Sequence, residues 1–295
     1  MARCKLRRKG VHVEITVTPE EHAAESLTDA HLKQALDAIR TEGYIILNAV
    51  VAHEHLDLLC ERMTEDIEKI MNAPAPPHNF VWGNVQQEPP PFPPYVFRDV
   101  MANPCVVQVS KALLGEGIFN NRYTGNTNLP GSELQPVHVD SGQLWPNLDV
   151  AHPPSKVIVN IALDEVTEAN GSIELWPGSH LETQKVDGDD IKVEEHLHEA
   201  RRKVAPPVRG NTKKGSILIR DPRLWHRGMP NLSDQTRFMI AAIYCCHWMR
   251  RLPPLRFNTG CETAFAESDL DPNIIFVDEP IDYLFRNRPY DYNGT

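Results

Sequence analysis

The sequence predicts a mainly β fold with flanking helices, and three observations carry that expectation. Between about residues 117 and 248, short apolar runs recur between Gly, Pro and Asn, the texture of a β-sandwich or barrel. Before residue 72, two longer stretches carry apolar residues at helical spacing instead. A Pro-rich segment lies between the two textures. A chain of 295 residues is long enough to bury a large core. Helices packed on one antiparallel double sheet, as a single domain over residues 1–295, is the architecture expected.

The elements follow in order. From Leu27 to Arg40, the residues Leu32, Ala35, Leu36 and Ile39 share one helical face, with Thr28 as N-cap and Gly43 as terminator. "YIIL" at 44–47 reads as a short buried strand. Residues 50–72 give a second amphipathic helix, with Leu56, Leu59, Met63, Ile67 and Ile70 on one side. Residues 73–94 form a loop, because the stretch 72–95 holds eight of the 25 prolines and cannot be regular structure. Loops of that length in compact domains are often functional. A short helix over 104–114 stops at "LLGEG". "KVIVNIAL" (156–163), "SIELW" (172–176), "GSILIR" (215–220) and "RFMIAAIYC" (237–245) are the clearest strands, interrupted by a charged, helical insertion over 181–203. Residues 249–295 form a C-terminal extension.

Composition removes several classes of function. A formal net charge of −10 argues against a nucleic-acid binder, which needs clustered Lys and Arg. The six cysteines (Cys4, Cys60, Cys105, Cys245, Cys246 and Cys261) show no CxxC spacing and read as free thiols of a reducing compartment. The N-terminus is basic, but no apolar segment follows it, and no run approaches the length of a membrane span. A cytoplasmic enzyme acting on a small molecule, with no nucleic-acid or membrane partner, is the expectation.

Among the histidines that stand two residues before a carboxylate are those of the pairs His12/Glu14, His55/Asp57 and His138/Asp140. His55 and Asp57 lie in the second helix, where residues i and i+2 point about 200° apart and cannot grip one ion. His12/Glu14 and His138/Asp140 lie in alternating, strand-like stretches, where side chains repeat with period two and share a face. His12 and Glu14 look like the solvated face of an edge strand. For His138 and Asp140, in "QPVHVDSGQLW", the best candidate for a third ligand is His226 in "LWHRG". Two His and one carboxylate leave three positions open on an octahedral ion, which suits ferrous iron with a chelating cosubstrate and dioxygen. Arg237 stands eleven residues after His226, at the start of the next strand. A hairpin between the strands at 215–220 and 237–245 would bring it beside His226. A permanently charged, planar guanidinium there suits the distal carboxylate of 2-oxoglutarate. His180 in "WPGSH" reads as structural.

At these residues the chain resembles the phytanoyl-CoA hydroxylase-like family of Fe(II)- and 2-oxoglutarate-dependent dioxygenases. The resemblance covers roughly residues 25 to 245. It rests on "HVD" at 138–140, "NGSIELWPGSH" at 170–180 and "LWHRGMPNLSDQTR" at 224–237. "NFVWGNVQQEPP" (79–90), "YTGNTNLPGSELQPVHVD" (123–140) and "VAPPVRG" (204–210) are similar to an antibiotic-pathway branch of that family. The resemblance implies a double-stranded β-helix (jelly-roll, cupin-like) core. It implies His138, Asp140 and His226 as iron ligands, Arg237 as the clamp on 2-oxoglutarate, and Gln135 close to the cosubstrate. Some relatives place Ser or Thr two residues after the distal His, where this chain has Gly228, so the clamp needs a second donor from elsewhere. Where others have Thr in the "NG" strand, this chain has Ile173. Halogenating members lack the carboxylate; Asp140 is present, which favours hydroxylation-type chemistry. The implied activity is oxidation of an unactivated C–H bond by Fe(II), 2-oxoglutarate and O2, with oxidative deamination, desaturation or ring closure as further outcomes and a carbon beside an amine as the suggested target.

Trp82, Gln86, Tyr123 and Trp145, from the Pro-rich loop and the stretches around the His-x-Asp pair, are the candidates for substrate contact. The acidic residues Glu182, Asp187, Asp189, Asp190, Glu194 and Glu195 could attract a cationic substrate or form a solvated helix face. Two other functions remain in play at this stage. One is a cupin-like metal oxygenase or isomerase without 2-oxoglutarate, which would have no use for Arg237. The other is a non-catalytic β-sandwich binding module.

Overall fold

The computed structural model describes residues 13–145, 147–183 and 191–290. Its helices are α1 (Pro19–Ala23), α2 (Asp29–Glu42), α3 (His53–Met71), α4 (Arg98–Met101), α5 (Pro104–Leu114) and α6 (Glu195–Arg202). Its strands are β1 (Glu14–Thr16), β2 (Tyr44–Asn48), β3 (Asn84–Gln86), β4 (Phe119–Asn128), β5 (Lys156–Ala162), β6 (Ile173–Leu175), β7 (Val208–Gly210), β8 (Ile217–Arg220), β9 (His226–Arg227), β10 (Arg237–Cys245), β11 (Leu255–Asn258) and β12 (Ile274–Val277). The expected helices are present. The second begins at His53, three residues later than its apolar period suggests. The Pro-rich loop is not wholly irregular: its proline-free centre supplies β3, which pairs with β4 at the sheet edge. Of the insertion over 181–203, α6 is the helical part; residues 184–190 lie outside the described residues, as do His12 and Cys4.

A seven-stranded sheet in the order β1-β2-β8-β5-β10-β4-β3 faces a three-stranded sheet in the order β7-β6-β9. All pairings in both are antiparallel except β1 with β2. Isolated bridges from His138 to His226 and to Lys192 extend the smaller sheet beyond β9. This is the jelly roll implied by the resemblance.

Strand alternation gives the large sheet two different faces. Ile45, Leu47, Val159, Ile161, Ile219, Ile240 and Ala242 point outward and pack with Ala35, Ile39, Leu56, Leu59, Met63 and Val106 of α2, α3 and α5 in one large apolar layer. Burying that layer supplies the hydrophobic driving force for the fold. Tyr44, Ile46 and Leu218 point inward and meet Leu175 and Leu224 of the smaller sheet, closing one end of the barrel. Val137, Val139, Trp176, Val193 and Trp225 cover the smaller sheet's outer side. Both faces of the central strands are therefore occupied, and the barrel interior opens toward β10 and β4.

His55 and Asp57 diverge as helical geometry requires: His55 pairs with Asp99 at 2.9 Å and Asp57 with Lys214. Cys60, Cys105, Cys245, Cys246 and Cys261 are free thiols. Among the described residues, no helix is long and apolar enough to cross a membrane.

Gly43 joins α2 to β2 in the left-handed region, at φ +90°. A Cβ there would lie 2.7 Å from His180 Nδ1 and 2.8 Å from Leu224 Cδ1. Gly43→Ala should therefore cost about 1–3 kcal/mol, read as a lower urea midpoint with an unchanged slope.

Candidate active site

His138 and His226 are direct cross-strand partners. The His138 N–H donates to the His226 carbonyl at 2.9 Å, and the His226 N–H returns the bond to the His138 carbonyl at 3.0 Å. Such a pair sets the two side chains side by side on one face, and the ring centroids are 4.3 Å apart. Each Nδ1 lies 2.8 Å from a carbonyl, Pro136 O for His138 and Leu224 O for His226. Those contacts assign the proton to Nδ1 and leave each Nε2 with its lone pair free. Burial pulls both imidazoles below their ordinary pKa, so both are neutral at neutral pH.

Asp140 lies two residues beyond His138 on the same face, while Val137 and Val139 turn the other way into the outer apolar cluster. The donor atoms of His138, Asp140 and His226 all lie within 4.8 Å of one another, and Asp140 Oδ2 is 3.4 Å from His226 Nε2. Arg220 Nη1 donates to Asp140 Oδ2, and Arg220 Nε donates to Asn160 Oδ1 at 2.9 Å. Burial alone would raise the Asp140 carboxyl, but the Arg220 guanidinium outweighs it and holds the group well below the usual carboxylate range. The carboxylate is thus charged and fixed in direction. Two neutral imidazoles and one carboxylate form a donor set that suits Fe(II).

These side chains open into a cavity of about 450 Å³ between the two sheets, within the range of small-molecule sites. Arg237 enters it from the large sheet. Its side chain is 7% exposed, and among the described residues it has neither an ion-pair partner nor a hydrogen bond to Nε. Burial draws its pKa down to about 10. A buried guanidinium without a counter-charge is costly, and a ligand carboxylate would satisfy it. The residues present therefore fit 2-oxoglutarate as well as iron.

The route by which Arg237 reaches the site differs from a hairpin. β8 and β10 are separated by β5, and β9 belongs to the opposite sheet. The chain crosses between sheets after His226, so Arg237 and His226 line the cavity from different sheets. Gln135 also lines the cavity. Its Oε1 accepts from the Gly228 N–H at 2.8 Å, and its Nε2 donates to Asn79 O at 3.1 Å. A Cβ on Gly228 would come within 2.6 Å of that Oε1. Gly228 and Gln135 thus occupy one space, which explains why no Ser or Thr stands two residues after His226. Ile173 lines the cavity as an apolar contact.

Of the four proposed substrate residues, only Gln86 lines the cavity. Tyr123 points to the sheet's other face, buried against Phe257 at 5.5 Å between centroids, because its neighbours Arg122 and Thr124 take the inward positions. Trp82 and Trp145 are exposed and outside the cavity; Trp145 meets His152 edge-on. His180 is buried with Nε2 on Arg40 O, a structural place. Arg220, Asn160 and Arg122 line the cavity and were not singled out from sequence. Arg220 ends the run "SILIR", and a cation closing an apolar strand was the available signal.

A jelly roll with a two-histidine, one-carboxylate triad defines the class of mononuclear non-haem iron proteins. The phytanoyl-CoA dioxygenase (PhyH) family model matches residues 39–239, and the chain belongs to that family. Dioxygenase af480 of Aspergillus fumigatus is 29% identical over 159 residues, which are 53% of this chain and 47% of that protein. Dioxygenase lolE1 of Epichloe uncinata is 28% identical over 159 residues, 54% of this chain and 57% of that one. The matches thus span about half the length of these relatives. The crystal structure of the epimerase SnoN, in complex with Fe3+, alpha-ketoglutarate and nogalamycin RO, aligns with a TM-score of 0.57 at 16% identity, over 74% of this chain and 85% of that one. It shares the fold.

Replacing Arg220 by Leu frees the Asp140 carboxylate. The affinity for Mn(II), a redox-inert stand-in for iron, should fall by a factor on the order of 10–100 in an anaerobic titration.

Proposed function

We propose that this protein is an Fe(II)- and 2-oxoglutarate-dependent dioxygenase that oxidises an unactivated C–H bond of a small, natural-product-like molecule. The observation that carries this reading is Arg237, a buried cation without a counter-charge among the described residues, which opens into the same cavity as the triad. A metal oxygenase that does not use 2-oxoglutarate would leave that charge unpaired.

In this reading His138, Asp140 and His226 hold iron, and Arg237 pairs with the distal carboxylate of the cosubstrate through a charge-assisted contact. Gln135, anchored at both ends of its amide, walls the cosubstrate's side of the cavity. Iron and 2-oxoglutarate, when bound, supply the oxidising power by coupling reduction of O2 to decarboxylation of the keto acid. The protein's own task is placement. The Nδ1 hydrogen bonds hold the imidazoles in the ligating tautomer, Arg220 keeps Asp140 ionised and aimed, and Phe80, packed on the His138 ring at 4.4 Å, screens that ring from water. Retention of Asp140 favours hydroxylation, with desaturation, ring closure or deamination as alternatives. Among the described residues, the amine suggested by the sequence resemblance finds no carboxylate along the cavity other than Asp140.

Conversion of 2-oxoglutarate to succinate tests the proposal. It should require Fe(II) and O2, stop on chelation and return on adding Fe(II). Arg237→Leu should weaken 2-oxoglutarate by a factor on the order of 100, about 3 kcal/mol. Succinate formation that is indifferent to Arg237 would overturn the assignment.

A further inference from the structure

The large sheet's inward face forms a ladder whose rungs are fixed by register. Arg237 stands opposite Asn128, Met239 between Asn126 and Ala162, Ala241 between Thr124 and Asn160, and Ile243 between Arg122 and Ile158. Ile158 in turn stands opposite Arg220. At about 3.4 Å per residue, Arg122 lies about 20 Å along the sheet from Arg237. The Asp140–Arg220–Asn160 network falls on the last two rungs, so it lies at the Arg122 end of the ladder, with Arg220 three strands across the sheet from Arg122 and with Arg237 at the far end.

Among the described residues, the Arg122 guanidinium makes no hydrogen bond and no ion pair; only its backbone N–H is held, by Asn120 Oδ1. Glu88 is close enough to feel its charge but pairs with Arg286 at 3.5 Å. Of the acids expected from sequence to attract a cation, Glu182 pairs with Arg201 and Glu194 with His196, and none of the described ones lines this cavity. Asp140 is the one acid lining the cavity among the described residues. The charge of the loaded site follows. Iron brings two positive charges and the three arginines bring three; Asp140 and the two cosubstrate carboxylates offset three of them. Two positive charges remain, one of them on Arg122, which is solvent-exposed where it borders the cavity and so is open to an incoming anion.

We propose that the substrate carries an anionic oxygen group, a carboxylate or phosphate, received by Arg122 at the end of the cavity opposite Arg237. The proposal deepens the oxygenase reading and rests on it. Ile158, Ala241 and Ile243 line the way from Arg122 toward the iron site. The substrate class is thus an apolar body with an anionic end, held so that a carbon of the apolar part meets the iron. A protonated amine near the metal is disfavoured by the same charge balance.

Calorimetry under anaerobic conditions tests this with protein loaded with Fe(II) and 2-oxoglutarate. The probes are 4-phenylbutyrate, its methyl ester, 4-phenylbutylamine and 3-phenylpropyl phosphate. An anionic probe should bind at least tenfold more tightly than the ester and the amine. Arg122→Gln should erase that preference and Arg122→Lys should keep part of it. The acid and the phosphate decide between the two anions. Tightest binding by the amine, equal binding of acid and ester, no binding of either anion, or a preference that survives Arg122→Gln overturns the proposal. The wild-type comparison stands even if a variant fails to fold. Failure of the oxygenase reading shows separately, as absence of the visible charge-transfer band of an iron–keto-acid chelate in the wild-type protein.

Discussion

The site depends on one pair of backbone hydrogen bonds, those exchanged between His138 and His226. Residues 88 positions apart become direct cross-strand partners, and every other feature of the centre follows from that register. A one-residue slip would turn His138 outward and put Val137 or Val139 in its place. The apolar cluster of Val137, Val139, Trp176 and Trp225 makes that slip expensive, because it would expose the valines and bury a histidine among them. Hydrophobic patterning on the outside of the smaller sheet thereby fixes polar geometry on its inside.

The large sheet works the same way from the opposite wall. Its outward residues are committed to the helices, and this commitment decides which residues face the cavity. Arg237, Arg220 and Arg122 all sit on the inward period. Each buried guanidinium requires an answer. Arg220 is answered within the protein by Asp140 and Asn160. Arg237 is not, among the described residues, and an enzyme cavity is where such unanswered buried charge is tolerated, because a ligand completes it; Arg122 is solvent-exposed and is answered by water until a ligand replaces it. The stability forgone in the free protein reappears as ligand affinity.

Much of this was legible in the sequence. The helix over 29–42, with its Thr28 cap and Gly43 terminator, was readable because caps and periodicity are local. The strands at 156–162 and 237–245 were readable from apolar runs. The triad was readable because "HVD" alternates and because family motifs surround His226. The route of Arg237 was not. Strand order is non-local, and nothing near residue 220 or 237 says that β5 intervenes. Tyr123 was misplaced for another reason. In β4 the polar set Arg122, Thr124 and Asn126 faces the cavity and the aromatic Tyr123 faces the apolar layer, the reverse of a reading that takes the aromatic as the ligand contact. The exposed Trp82 and Trp145 show that aromatic character alone does not mark a pocket.

The central claim is that His138, Asp140 and His226 hold iron where Arg237 can present 2-oxoglutarate to it. Anaerobic addition of Fe(II) and then 2-oxoglutarate to the apoprotein, followed by visible absorption, tests it most directly. The account predicts a weak charge-transfer band that needs both additions, is lost in His226→Ala, and in Arg237→Ala appears only at much higher 2-oxoglutarate. Iron bound in the wild-type protein with no band at any 2-oxoglutarate concentration would contradict it.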